Sequence, residues 1–373
     1  MSQINYTPSW KARWVLRRNA ILGSAGFQRW ASRTPLVRGI ARRKAAAQFD
    51  MIAGFVYAQV LAAFVESELI GFLNGQLRCL SEVADFTKLA PDAAARLLHA
   101  GESLQISESP DTGLWTLGEA GAALSCNTGA MAMIRHHRLL YRDLTDPLAL
   151  FAKDRREETA LSAYWTYASK SESQEKAADY SELMAATQPM VSQQIIDAYD
   201  FSAHRRMLDV GGGSGAFASA IMQAAPALEV GIFDLPEVIE AAKQRFASQP
   251  VSAKWQLHPG SFKTDALPEG YDLITLSRIA HDHDDAVVEA LLAKILAALP
   301  TGGRLLIIEP MADSPHARPM GHAYFGLYLW AMGSGRPRTK DELAHMLKAA
   351  GFGDIRPVRT NLPIITSALV AIK

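Results

Sequence analysis

Apolar positions along the chain repeat with two different periods, and the change of period divides it. As far as about residue 200 the repeat is mostly helical. The longest apolar run, Met51 to Val65, is broken by Gln59 and closed off by Asp50 and Glu66. Its fifteen residues are few for a bilayer crossing, which takes about 20, so it reads as a helix buried in protein. One helix is expected to start at Leu80. A second is set off by Ala90-Pro91-Asp92 and runs through Leu97, Leu98 and Leu104. Ser109-Pro-Asp-Thr-Gly113 is a turn, leading to a short strand over Leu114–Leu117. Residues 126–200 read as helical, with polar interruptions at Lys153–Thr159 and Ser169–Asp179. Beyond Arg205, strand-like runs alternate with helices at 206–210, 229–233, 254–258, 272–277 and 303–308, then 355–361 and 367–372.

That alternation is the signature of an α/β unit with a doubly wound parallel sheet. The helix, helix and hairpin before it make a winged-helix pattern, whose second helix often reads DNA. Here that helix offers only Arg96 and His99, with Asp92 at its start, so no nucleic-acid partner is expected. The expected organisation is a basic arm (1–48), a helical winged-helix-like domain (49–175) and an α/β domain (176–373).

Composition changes this picture at one end only. The formal net charge is zero, yet the first fifty residues carry ten Lys and Arg against Asp50 alone. The arm is thus about nine charges positive and the remainder about nine negative. A basic arm suits an anionic partner. Trp10, Trp14, Phe27 and Trp30 lie among the cations, which fits peripheral contact with an anionic membrane and equally an arm packed on the body. Cys79 and Cys126 form no Cys-x-x-Cys and no evident pair. With no apolar leader, this suits a cytoplasmic protein with neither a disulfide framework nor structural zinc.

Two constellations carry chemistry. Met207-Leu-Asp-Val-Gly-Gly-Gly-Ser-Gly-Ala216 is an apolar strand, then a glycine loop, then a helix start. Glycines there let the backbone turn sharply and approach a ligand. Asp234, followed by Leu235 and Pro236, ends the next strand about 20 residues on, where a carboxylate accepts ribose hydroxyls. The spacing Gly211-x-Gly213-x-x-Ala216 also fits a dinucleotide site. However, Asp209, two residues before the first glycine, would repel a pyrophosphate and welcome a cationic amino-acid end, which favours S-adenosylmethionine. The Gly302-Gly303 turn before Leu305-Leu-Ile-Ile-Glu309 completes the set.

The second constellation is Leu276-Ser-Arg-Ile-Ala-His281-Asp282-His283-Asp284-Asp285, at the carboxyl end of a strand facing the ligand crevice. His281 is the candidate general base and Glu309 the group that orients its other ring nitrogen. Asp282 either bonds the substrate hydroxyl or caps structure, and Asp284 or Asp285 is expected to cap the following helix. A metal site is not expected, because neighbouring residues on a turn point apart.

At these residues the chain resembles the plant-type O-methyltransferases: a winged-helix-like dimerisation domain followed by a Rossmann-like methyltransferase domain. The resemblance implies a catalytic His281-Asp282 pair with Glu309, and Ser261, Phe262 and Ser277 among the cofactor contacts. It also shows departures. His283 stands where a tryptophan is usual, Ser261 where an acidic residue is usual, and Pro337 where a second glutamate is usual. Phe27-Gln-Arg-Trp30, Phe49-Asp-Met-Ile-Ala-Gly-Phe-Val-Tyr57 and Ile134-Arg-His-His-Arg-Leu-Leu-Tyr-Arg-Asp143 are similar to the hydroxyneurosporene (carotenoid 1-hydroxy) O-methyltransferases of photosynthetic bacteria. That similarity implies a homodimer acting on the tertiary hydroxyl of an acyclic carotenoid in carotenoid biosynthesis. His136, Tyr141 and Met184, together with Tyr324, Phe325, Tyr328 and Met332 from the apolar run after Met320, would line its site. Two rival readings stay open: a phenolic, polyketide or tetrapyrrole acceptor, and a winged-helix regulator that senses S-adenosylmethionine.

Overall fold

A computed structural model describes residues 7–152, 158–169, 174–248, 254–315 and 317–373. The chain divides into two compact units, residues 1–122 and 123–373.

The first unit opens with α1 (Trp10–Leu22), α2 (Ala25–Arg33) and α3 (Pro35–Glu66). Ser9 and Ser24 accept hydrogen bonds from the first-turn amides of α1 and α2, and Pro35 begins α3 at a position that needs no N–H donor. Nothing between Ala41 and Tyr57 breaks a helix, so α3 runs unbroken for 32 residues across the expected boundary at 48. It is therefore long and apolar enough, by length and composition alone, to cross a membrane, although core helices of soluble proteins pass the same test. The expectation that this helix is buried needs correcting. Only Ala62, Phe64 and Val65 are buried, while Phe49, Met51, Ile52, Phe55 and Val56 are exposed. After α4 (Leu69–Leu73) come β1 (Arg78–Cys79), α5 (Leu80–Thr87), α6 (Pro91–Ser103), β2 (Ser107–Asp111) and β3 (Leu114–Leu117), with strand order β1-β3-β2. This is the expected pair of helices and wing.

The helix α7 (Glu119–Ser125) leads into the second unit. There α8 (Thr128–Asp143), α9 (Pro147–Leu150), α10 (Ala160–Ser169) and α11 (Gln174–Ile196) precede the sheet. The expected boundary at 175 falls inside α11. These helices belong with the C-terminal unit because their apolar faces are covered there: Leu140, Leu150 and Leu161 pack with Leu329 and Met332. The interruption expected at Lys153–Thr159 lies mostly outside the described residues.

The sheet is built from β4 (Arg206–Val210), β5 (Glu229–Asp234), β6 (Trp255–Pro259), β7 (Leu273–Ser277), β8 (Arg304–Glu309), β9 (Ile355–Val358) and β10 (Ser367–Ile372), in the order β6-β5-β4-β7-β8-β10-β9. The strands fall within a few residues of expectation, but the sheet is mixed: β10 runs antiparallel to both neighbours. Only about eight residues separate β9 from β10, too few for the crossover that a parallel pair requires. The helices α12 (Ala216–Ala224) and α13 (Pro236–Ser248) cover one face with α11. The other face is covered by α14 (Asp285–Ala298) and α16 (Lys340–Ala350), between which lie a π-helical stretch, Pro319–Phe325, and α15 (Gly326–Met332). Chain order reverses between β4 and β7, so their carboxyl ends open a crevice.

Candidate active site

Five parallel strands end at this crevice, each with a polar residue at or just beyond its carboxyl end. At the end of β4, Asp209 is 1% exposed and accepts a 2.7 Å hydrogen bond from the Thr275 hydroxyl of β7. Its other oxygen, Oδ2, is buried with no partner among the described residues. Burial pushes this carboxyl up to about 7, although Thr275 pulls the other way. Asp209 therefore lies beneath the glycine loop and not on its surface.

Above it, Gly211 donates its N–H to the Phe233 carbonyl of β5. Gly213 adopts φ +58°, and a Cβ there would point into open space, so the loop leaves room against its own backbone. At the end of β5 the Asp234 carboxylate accepts 2.7 Å bonds from the N–H groups of Gly213 and Leu235. Burial raises its pKa, opposed by those two amides. Ser261 and Phe262 follow β6. The Ser261 amide donates to Asp265, and the Phe262 ring meets His283 edge-on at 5.3 Å. The position where a tryptophan is usual thus still packs a ring on this wall. Ser277, ending β7, accepts from Gln188 at 3.2 Å.

His281 lies in a short 3-10 turn after β7 and is 6% exposed. Its Nε2 sits 3.1 Å from Asp282 Oδ1. Its Nδ1 is 3.7 Å from Glu309 Oε2, an ion-pair contact longer than a hydrogen bond. Glu309 Oε1 instead accepts the backbone N–H groups of Ala280 (2.5 Å) and His281 (3.1 Å). Glu309 thus holds the backbone of the turn, and Asp282 faces the imidazole and caps no helix. Burial pulls the His281 pKa down, but the two carboxylates prevail and raise it to about 10. At neutral pH the free protein holds an imidazolium there. The helix-capping expectation is corrected too. Asp284 occupies the N-cap position of α14 without a side-chain capping bond and accepts from Gly335 N, while Asp285 pairs with Arg336 and Arg338.

A wall of aromatic and apolar groups completes the crevice. The π-helical stretch widens the turn that carries Tyr324 and Phe325; such stretches gather at functional sites. The Phe325 ring meets that of His281 edge-on at 6.1 Å. The Tyr324 hydroxyl bonds His137 Nε2 at 2.6 Å, and the Tyr328 hydroxyl bonds His136 Nε2 at 2.9 Å. Burial lowers both histidines, His136 to about 4, and raises Tyr324 to about 12 and Tyr328 further. Both pairs are neutral and satisfy each other, so they line the wall without offering it a charge. Tyr141 is half-buried on α8, one turn beyond His137. Met332 belongs to the core cluster with Leu140 and Leu161.

Sequence reasoning missed His137 and Arg278. Arg278 has a left-handed φ of 61°, and its guanidinium donates to Thr187 Oγ1 (2.7 Å) and Met184 Sδ (3.1 Å). No ion-pair partner for it is found among the described residues. Its place three residues before His281 was the available signal. Among the described residues no group of three or more His, Cys, Asp and Glu is placed to hold a metal ion. The orphaned Asp209 oxygen, the open glycine cradle and the carboxylate of Asp234 fit a ligand with an amino-acid cation and a ribose.

Comparison with known proteins agrees. A family model described as an O-methyltransferase domain matches residues 141–353. A demethylspheroidene O-methyltransferase of Rhodobacter capsulatus is 42% identical, over 91% of this chain and 85% of its own. Another of that name, from Cereibacter sphaeroides, is 37% identical over 95% and 93%. A solved methyltransferase of calicheamicin biosynthesis, bound to S-adenosylhomocysteine, superposes with a TM-score of 0.74 at 25% identity, covering 88% of this chain and 98% of its own. The chain belongs to the O-methyltransferase domain family and is an S-adenosylmethionine-dependent O-methyltransferase.

Proposed function

We propose that this enzyme methylates the tertiary 1-hydroxyl of an acyclic carotenoid, working as a homodimer whose basic arm rests on an anionic membrane. The observation that carries the substrate assignment is the extent of likeness to the two demethylspheroidene O-methyltransferases, 91% and 95% of this chain. The wall supports it. Phe325, Tyr324, Tyr328 and the paired His136 and His137 give an apolar lining with its polar groups already satisfied, as a long hydrocarbon with one polar end requires.

S-adenosylmethionine, when bound, supplies an electrophilic methyl group on a sulfonium centre. Asp234 would hold its ribose, with Leu235, Ser261, Phe262 and Ser277 alongside, and Gly211 and Gly213 would admit it closely. The charge of Asp209 suits its ammonium and that of Arg278 its carboxylate. His281 takes the hydroxyl proton on Nε2, having first released to bulk water the proton that Asp282, beside this nitrogen, favours in the free protein. A tertiary alcohol is too weak an acid to ionise beforehand, so proton removal is late and accompanies bond formation. Asp282 and Glu309 then stabilise the imidazolium, as a carboxylate partner does in a triad.

A second copy would cover the exposed stripe of α3, and Trp10, Trp14 and Trp30 with the neighbouring arginines would contact the membrane. The test is methyl transfer from isotopically labelled S-adenosylmethionine to a purified 1-hydroxylated acyclic carotenoid, followed by mass spectrometry. A labelled methyl ether is expected. Transfer to phenols with none to the carotenoid would overturn the substrate assignment.

A further inference from the structure

The carbonyl groups of the turn that carries His281 are all held by one distant segment. Four consecutive carbonyls, Ala280 to His283, each have a partner between Ser334 and Arg338. Arg338 Nη1 donates to Ala280 O (2.6 Å), Arg336 N to His281 O (3.0 Å), Ser334 Oγ to Asp282 O (2.9 Å) and Arg338 Nη2 to His283 O (2.8 Å). From the other side Glu309 takes the two amides already described. We propose that Ser334, Gly335 and Arg338 are positioning residues, a strap that sets the angle of the His281 ring and its separation from Asp282. The proposal rests on the reading of His281 as the base.

Three features favour this over mere packing. The Arg338 side chain is fully buried, a costly place for a guanidinium, and it divides its bonds between Asp285 and the two carbonyls that bracket His281 and Asp282. Gly335 adopts φ +79°, and a Cβ there would fall 2.1 Å from His281 O and 2.6 Å from Asp282 C, so the contact requires glycine. Pro337, between the two arginines, needs no N–H partner in the strap and has a fixed φ. Catalysis depends on such placement: a displacement of about 1 Å can cost about a hundredfold.

The test uses Ser334→Ala, Ser334→Thr, Gly335→Ala and Arg338→Lys in the full chain. Four quantities are read: kcat, cofactor affinity by calorimetry, thermal midpoint, and the His281 imidazole titration by NMR, assigned by its loss in His281→Ala. Gly335→Ala is expected to lower kcat about tenfold or more with cofactor affinity little changed. It should also move the His281 titration toward that of an ordinary histidine. Ser334→Ala should do the same to a smaller extent, and Ser334→Thr should restore both. Variants that fold, bind cofactor and keep the parent kcat and titration would overturn the strap, as would losses of kcat matched by the unfolded fraction. The titration is read without turnover. If His281→Ala kept its activity, the base assignment would fall while the strap's hold on the ring was still decided.

Discussion

In the C-terminal unit, each carbonyl of the catalytic turn from Ala280 to His283 has a donor, and Glu309 accepts two of its amides. In the N-terminal unit, Phe49, Met51, Ile52, Phe55 and Val56 stand open along one side of α3, with exposures from 45% to 79%. The first region is complete within one chain; the second leaves apolar surface that water does not favour. The contrast teaches where to look for what lies outside the chain. The turn that carries His281 closes its hydrogen bonds within its own unit, whereas the stripe on α3 is the surface that the proposed second copy would cover.

Four variants, and a pH series with two more, sharpen or break that contrast. The largest effect is expected from His281→Ala, which should lower kcat by about 10²- to 10⁴-fold with cofactor affinity nearly intact. Collapse of cofactor binding, with turnover per bound enzyme preserved, would make His281 structural. Next, Ile52→Glu with Phe55→Glu should turn a dimer into a monomer in analytical ultracentrifugation, since charges would be buried unpaired between copies. A parent protein that sediments as a stable monomer would show that something else covers the stripe. Asp234→Ala should weaken cofactor binding by about 10- to 100-fold in calorimetry, through loss of a charged acceptor. Unchanged affinity would move the ribose elsewhere.

The pH series has a definite sign. His281 has its folded pKa raised from 6.5 to about 10, so its stabilisation is complete below 6.5 and lost as pH climbs through about 10. Asp209 is raised from 3.8 to about 7, so ionising it costs stability across that lower window. Stability of the free protein should fall with rising pH in both ranges, by at most about 1.4 kcal/mol per pH unit for each group. Urea midpoints for His281→Asn should flatten the upper range, and those for Asp209→Asn the lower. Identical profiles for the parent and both variants would show that neither group is so perturbed. The smallest effect is reserved for the arm. Changing Arg42, Arg43 and Lys44 to Ser should reduce flotation with anionic vesicles several-fold, at about 1 kcal/mol or less per charge. Equal flotation with neutral vesicles would exclude electrostatic docking.

Local pattern made much of this legible. The run from Met207 to Ala216, Asp234, and the His281 motif each lie within a strand and the turn after it, where period and glycine spacing report directly. The division of the chain was not legible, because the allegiance of α8 and α11 depends on which apolar face covers Leu140 and Leu161. The antiparallel β10 was hidden because an apolar strand carries no sign of its direction. The strap was invisible for a similar reason: about fifty residues separate Ser334 and Arg338 from the carbonyls they hold. The depth of Asp209 beneath the loop was hidden as well, since residue type fixes a side chain's charge but not its burial.

The continuity of α3 carries one more consequence. Arg38, Arg42, Phe49 and Val56 are four, seven and seven residues apart. On an unbroken helix those intervals bring all four close to a single line. The charged end and the apolar end are therefore locked in phase along one rod. A single residue inserted between Lys44 and Phe49 would swing one end about 100° against the other, without removing any charge or any apolar group. Lineages that keep both surfaces in use should tolerate substitutions along this helix far better than changes in its length.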